Sequence, residues 1–215
     1  MKEIDVVLTD YGLALECSVF TFVLIRNKCK DQPLRIWFAL LFSSIGLASI
    51  IGGTIHGFLH EGTLSHAILW RATIVSIGIS ALAAWTIGAK ILFDNLGQRL
   101  VPVLAAVNFS IYLGYVVFFN QKFVVAIANY LPATIFLLIV FTILYKEYPH
   151  RLVFLALAGL ILTFVAAGVQ QMGIGVHAKY FNHNALYHVV QAAGLYLVFR
   201  GSIFIVELRE KNGMI

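Results

Sequence analysis

The sequence predicts an all-α integral membrane protein: one bundle of seven transmembrane helices, with the N-terminus outside and the C-terminus in the cytoplasm. Three observations carry this prediction. Hydrophobic residues make up 60% of the 215-residue chain and charged residues only 12%, well short of the quarter or so usual in soluble domains; the mean hydropathy is +0.90. Seven apolar runs, bounded by charges and turn residues, fall at about 6–25, 36–59, 67–93, 100–119, 123–145, 152–174 and 185–206. Each is close to the roughly 20 apolar residues that cross a bilayer as a helix. Lysine and arginine, finally, gather in alternate connections.

Taken in order, the first run holds Asp10 and Glu16 and follows a segment containing Lys2, Glu3 and Asp5. That segment lacks the basic start and small-residue cleavage site of a leader, so the N-terminus is expected to be retained. The second run ends in Gly52-Gly53-Thr54-Ile55-His56 and the third opens beside His66 and Arg71. Asp94-Asn95-Leu96-Gly97 reads as a turn before the fourth, Tyr148-Pro149 breaks the fifth from the sixth, and Gly173-Ile174-Gly175 closes the sixth. The seventh starts near Ala185. These spans and short connections leave no room for a separate soluble domain.

With the N-terminus outside, the cytoplasmic side collects Arg26, Lys28, Lys30, Arg35, Lys90, Arg99, Lys146, Arg151, Arg200, Arg209 and Lys211, and the outside keeps Lys2, Arg71, Lys122 and Lys179. The positive-inside rule selects that orientation. It also accounts for the net charge of +5, so the basic balance does not point to nucleic acid. Cys17 and Cys29 have no metal-knuckle or redox spacing. The expected location is the cell membrane, with the functional face extracellular or periplasmic.

The orientation sorts the polar residues as well. Six of the seven histidines, His56, His60, His66, His177, His183 and His188, fall on the outer side, and only His150 is cytoplasmic. Asp10, Glu16, Asn129, Gln170, Gln171 and Gln191 map to the outer half of their spans. Polar groups in a membrane usually face a bundle interior or a wet cavity, and an outward-opening polar cavity is the prediction. Plainer roles compete at each position. A histidine at a helix end is commonly solvated, and an Asp10 near a helix start is favoured by the helix dipole. Asn108, Asn129, Gln170 and Gln171 can be interhelical glue, and Gly46, Gly52, Gly53, Gly159 and Gly168 close-packing surfaces. Glu16, two turns deeper than Asp10, needs a partner such as Arg71 or an outer histidine.

A catalytic zinc takes three protein ligands and an open water position. His56 and His60 are spaced i, i+4, as are Asn184 and His188; His183 and His188 diverge by about 140° on an ideal helix. His183 therefore joins His188 only from a loop or a distorted first turn.

A histidine at the outer end of helix two and the run Asn184-Ala185-Leu186-Tyr187-His188 opening helix seven resemble the superfamily of alkaline ceramidases and the progestin and adiponectin receptors. The resemblance implies a seven-helix membrane-embedded zinc hydrolase, built on a helix-two Ser-x-x-x-His, a helix-three Asp and a helix-seven His-x-x-x-His. His56 matches the helix-two histidine and His188 the second histidine of helix seven. Gly52 stands at the serine position, Asn184 with His183 beside it at the first helix-seven histidine, and no acid occupies the outer part of helix three. The leading expectation is a zinc-dependent hydrolase of a membrane lipid amide or ester. Zinc would sit on His56, His183 and His188, with His60, Asn184 or His66 as other third ligands, and His66, Glu16 or Asp10 would supply acid–base chemistry. A non-catalytic seven-helix receptor, sensor or lipid-binding protein is the second expectation, and a metal or proton transporter the third.

Overall fold

The computed structural model describes residues 3–26, 32–177 and 180–212; Lys2, Lys28, Cys29, Lys30 and Lys179 lie outside them. The described residues form seven helices: α1 (Ile4–Arg26), α2 (Gln32–Phe58), α3 (Leu64–Leu92), α4 (Asn95–Phe118), α5 (Phe123–Glu147), α6 (Arg151–Gln171) and α7 (His183–Asn212). All seven are long and apolar enough to cross a membrane. The fold is an all-α bundle, as expected.

Local chemistry sets the helix ends. Thr63 caps α3 by accepting from the His66 amide. Asp94 caps α4 by accepting from the Gly97 amide at 3.2 Å, so the segment expected to be a turn is the cap and first turn of that helix. α6 ends in a Schellman arrangement: the Ile174 amide bonds to the Val169 carbonyl and the Gly173 amide to that of Gln170. Gly173 makes this possible with φ +67°. Asn182 caps α7, its Oδ1 accepting from the amides of Asn184 (2.9 Å) and Ala185 (3.1 Å). The Asn182 amide in turn donates to Asp5 Oδ2 at 2.9 Å, which ties the start of α7 to the first turn of α1.

Six helices form a ring in the order α1, α2, α3, α5, α6, α7, and α7 packs back on α1; α4 lies outside, against α3. Glycines set the closest approaches. A Cβ on Gly159 of α6 would fall 2.5 Å from the Gly194 carbonyl oxygen of α7, and one on Gly46 of α2 would fall 2.9 Å from Cys17 Cβ of α1. Buried hydroxyls donate to their own helix, as Ser76 to Ala72, Thr86 to Leu82 and Ser202 to Phe199, and so cost little in an apolar interior. Large apolar side chains point outward, including Leu100, Val103, Leu104, Val107 and Ile111 of α4. A face of this kind is suited to lipid.

Candidate functional site

The end of the bundle at which α1, α3, α5 and α7 begin is termed the amino end. A cavity of about 430 Å³ runs from this end toward the middle of the ring. Every helix except α4 lines it, each through a stripe at helical spacing. α1 supplies Asp10 and Leu13; α2 supplies Ile45, Ala48, Ser49, Gly52 and His56; α3 supplies Trp70, Thr73, Ile77 and Ser80. From α5 come residues including Phe123, Ala126, Tyr130 and Thr134; from α6 Thr163, Phe164, Ala167, Gln170 and Gln171; from α7 Asn184, Tyr187, His188 and Gln191. Most of this wall is apolar or aromatic, with a few convergent polar groups, as ligand cavities commonly are.

The polar centre of the wall joins α1 to α7. His188 Nε2 lies 3.2 Å from Asp10 Oδ1, and the two side chains are 11% and 5% exposed. His188 Nδ1 is 3.2 Å from Thr9 Oγ1. The Thr9 hydroxyl also reaches the carbonyls of Asp5 (2.9 Å) and Val6 (3.0 Å). A hydrogen between His188 Nε2 and Asp10 Oδ1 closes their contact, because two bare acceptors at that separation would repel. Nearer the rim, Gln170 Nε2 donates to Asn184 Oδ1 at 3.2 Å, bridging α6 and α7. His56 also faces the cavity, with Nδ1 2.7 Å from Glu3 Oε2.

Of the six residues expected to form the site, three line this cavity: Asp10, His56 and His188. The other three do not. His183 is the first residue of α7, five positions before His188, and the Asn182 cap keeps that turn regular, so the two diverge. His66 lies in the first turn of α3, stacked on Trp70 with ring centroids 6.5 Å apart. Glu16 is half-buried on α1, its Oε2 buried without a hydrogen bond. Of the partners expected for Glu16, Arg71 turns elsewhere: it donates to the Gln121 side-chain oxygen from Nε (2.7 Å) and Nη2 (2.8 Å). His60 lies beyond α2, which ends at Phe58. Asn108 and Asn129 bond to each other at 2.9 Å, linking α4 to α5 outside the cavity. His150 caps α6 and stacks on Phe204 at 4.0 Å.

The sequence reasoning missed Thr9, Tyr130 and Tyr187. For Tyr187 a signal was present, because Asn184, Tyr187, His188 and Gln191 stand at i, i+3, i+4 and i+7 and so share one helix face.

The donor set does not match a catalytic zinc. His188 Nε2 and Asp10 Oδ1 offer two donor atoms 3.2 Å apart, but a third ligand is required. The described residues hold no group of three or more His, Cys, Asp or Glu side chains placed to bind a metal ion.

Away from the amino end, α1, α2 and α7 close on one another through an aromatic cluster. Phe20 stacks on Phe199 at 4.1 Å and meets Phe42 edge-on at 5.3 Å.

No curated protein and no solved structure matches the chain. The model of a family of unknown function, DUF6962, matches residues 6–206, a span containing every residue that lines the cavity. The chain belongs to the DUF6962 family.

Proposed function

We propose that the protein is a multi-pass cell-membrane protein that binds an amphiphilic ligand in the cavity at its amino end. The observation that carries this reading is the Asp10–His188 pair, buried in the wall of an otherwise largely apolar cavity of about 430 Å³. Polar groups are expensive at such depth and are commonly functional. The cavity offers an apolar sleeve for a hydrocarbon or aromatic body and a small polar patch to orient its head. The amino end faces outward in this reading. Arg26, Arg35, Lys90, Arg99, Lys146, Arg151, Arg200 and Arg209 lie toward the opposite end, against Arg71 and Lys122 at the amino end, and that bias supports the orientation.

Native mass spectrometry of the purified chain tests the reading. One amphiphile per chain is expected, and its loss in Ile77→Trp, which fills the cavity. An equal ligand load on both proteins would count against it.

A second reading, the zinc-dependent hydrolase implied by the resemblance to alkaline ceramidases and the progestin and adiponectin receptors, rests on that resemblance, which puts its helix-two and helix-seven histidines at His56 and His188; the third ligand that it needs is not placed beside them among the described residues. Metal content decides it. Near-stoichiometric zinc, lost in both His56→Ala and His188→Ala, would support it, and a metal-free native protein would sink it.

A further inference from the structure

Resting on the cavity-binding reading, we propose that the head group of the ligand is an organic ammonium, an N–H-bearing cation on an apolar body. Among the described residues, Asp10 is the only acidic one that lines the cavity, and no lysine or arginine lines it, although the chain as a whole carries a net charge of +5. An anionic head would meet a carboxylate with no fixed cation to offset it.

Four hydroxyls of the wall point the same way. Thr73 donates to Leu69, Ser80 to Ile77, Thr134 to Tyr130 and Leu131, and Thr163 to Leu160. Each of these hydroxyls has committed its hydrogen to a backbone carbonyl, so only lone pairs are left for a ligand. The Asp10–His188 pair adds a carboxylate oxygen to these lone pairs. His188 Nε2 and Asp10 Oδ1, 3.2 Å apart, share one hydrogen, which leaves Asp10 Oδ2 as the oxygen for a ligand. One N–H⁺ donor group placed against it satisfies it. Asp10 Oδ2 lies beside Gly52, where a Cβ would come within 3.4 Å of it; glycine leaves that oxygen uncovered.

Aromatic side chains complete the match. Trp70, Phe123, Tyr130, Phe164 and Tyr187 line the cavity, and Trp70 and Phe123 meet at 6.1 Å. Aromatic faces attract cations, more strongly where water is excluded. From Trp70 to Ser80 the cavity follows α3 for about 15 Å at the helical rise, room for an aromatic ring on a short alkyl chain.

Calorimetry on the full chain in nanodiscs, with empty nanodiscs subtracted, tests the proposal through three probes sharing one body: 4-phenylbutylamine, 4-phenylbutanol and 4-phenylbutyrate. The amine is expected to bind at least about tenfold tighter than the other two, a difference of about 1.4 kcal/mol. Asp10→Asn should bring it down to the level of the alcohol. Gly52→Ala, whose added methyl fits beside Oδ2 and covers it, should weaken the amine severalfold and serves as the deciding variant if Asp10→Asn does not fold. Alcohol or carboxylate binding as tightly as the amine, or an amine preference undiminished in either variant, would overturn the ammonium assignment and leave the cavity-binding reading intact. Binding of none of the three would remove both.

Discussion

Thr9 is a minor residue by composition, yet it helps to hold the His188 ring. Its hydroxyl lies against the first turn of α1 and 3.2 Å from His188 Nδ1, while His188 Nε2 bonds with Asp10 Oδ1. Removing one member of the Asp10–His188 contact strands the other in the wall, at a cost on the order of 1–3 kcal/mol for a buried unsatisfied group. His188→Leu and Asp10→Leu are therefore each expected to lower the thermal midpoint, and the double variant should lose less than the sum of the two, with a coupling of roughly 0.5–3 kcal/mol. Additive losses would mean that the two side chains do not act together. At this scale the sequence was partly legible. Asp10, His56 and His188 stood out because charged and imidazole groups are rare in apolar spans. Glu16, His66 and His183 stood out for the same reason and yet line no part of the cavity, since rarity does not say which side of a helix meets its neighbours. Thr9 and Tyr187 were hidden among hydroxyls and aromatics that are common throughout the chain.

Helices and their contacts come next. The seven apolar runs gave seven helices, because run length alone dictates a spanning helix; their ends moved by a few residues wherever a cap lay outside the apolar run, as at Thr63 and Asp94. Helix partners were not legible, because glycine spacing marks close packing without naming the neighbour. The contact between α6 and α7 is the clearest case. A Cβ on Gly159 meets the backbone of Gly194 and Val198 at 2.5 and 2.8 Å, whereas one on Gly114 of α4 meets nothing within 4 Å. Gly159→Ala is expected to lower the thermal midpoint by several degrees and Gly114→Ala to leave it unchanged or raise it; equal effects would contradict the packing described. Asn182 is a smaller test of the same kind. Asn182→Ala removes the α7 cap, worth about 1 kcal/mol, and should weaken ligand binding through the loosened first turns of α7.

For the molecule as a whole, the ring of six helices with α4 outside explains why the cavity draws on α1, α2, α3, α5, α6 and α7. The alternation of charged and plain ends was readable from the loops, and the six histidines at the amino end were an early sign of where the cavity lies. Its depth was not, because it depends on which faces of six helices converge. Orientation is checked with single cysteines in a chain whose two native cysteines have been replaced. Glu61→Cys should label from outside intact cells with an impermeant maleimide, and Asn95→Cys only after lysis; the reverse pattern would invert the assignment. The most direct test of the central claim places the cysteine in the cavity itself. Ser49→Cys, in the same background, is predicted to react with a small cationic thiosulfonate added outside and to be protected once Ile77→Trp fills the cavity. A thiol that stays silent from outside, or reacts equally with and without the tryptophan, would contradict an outward-opening binding cavity.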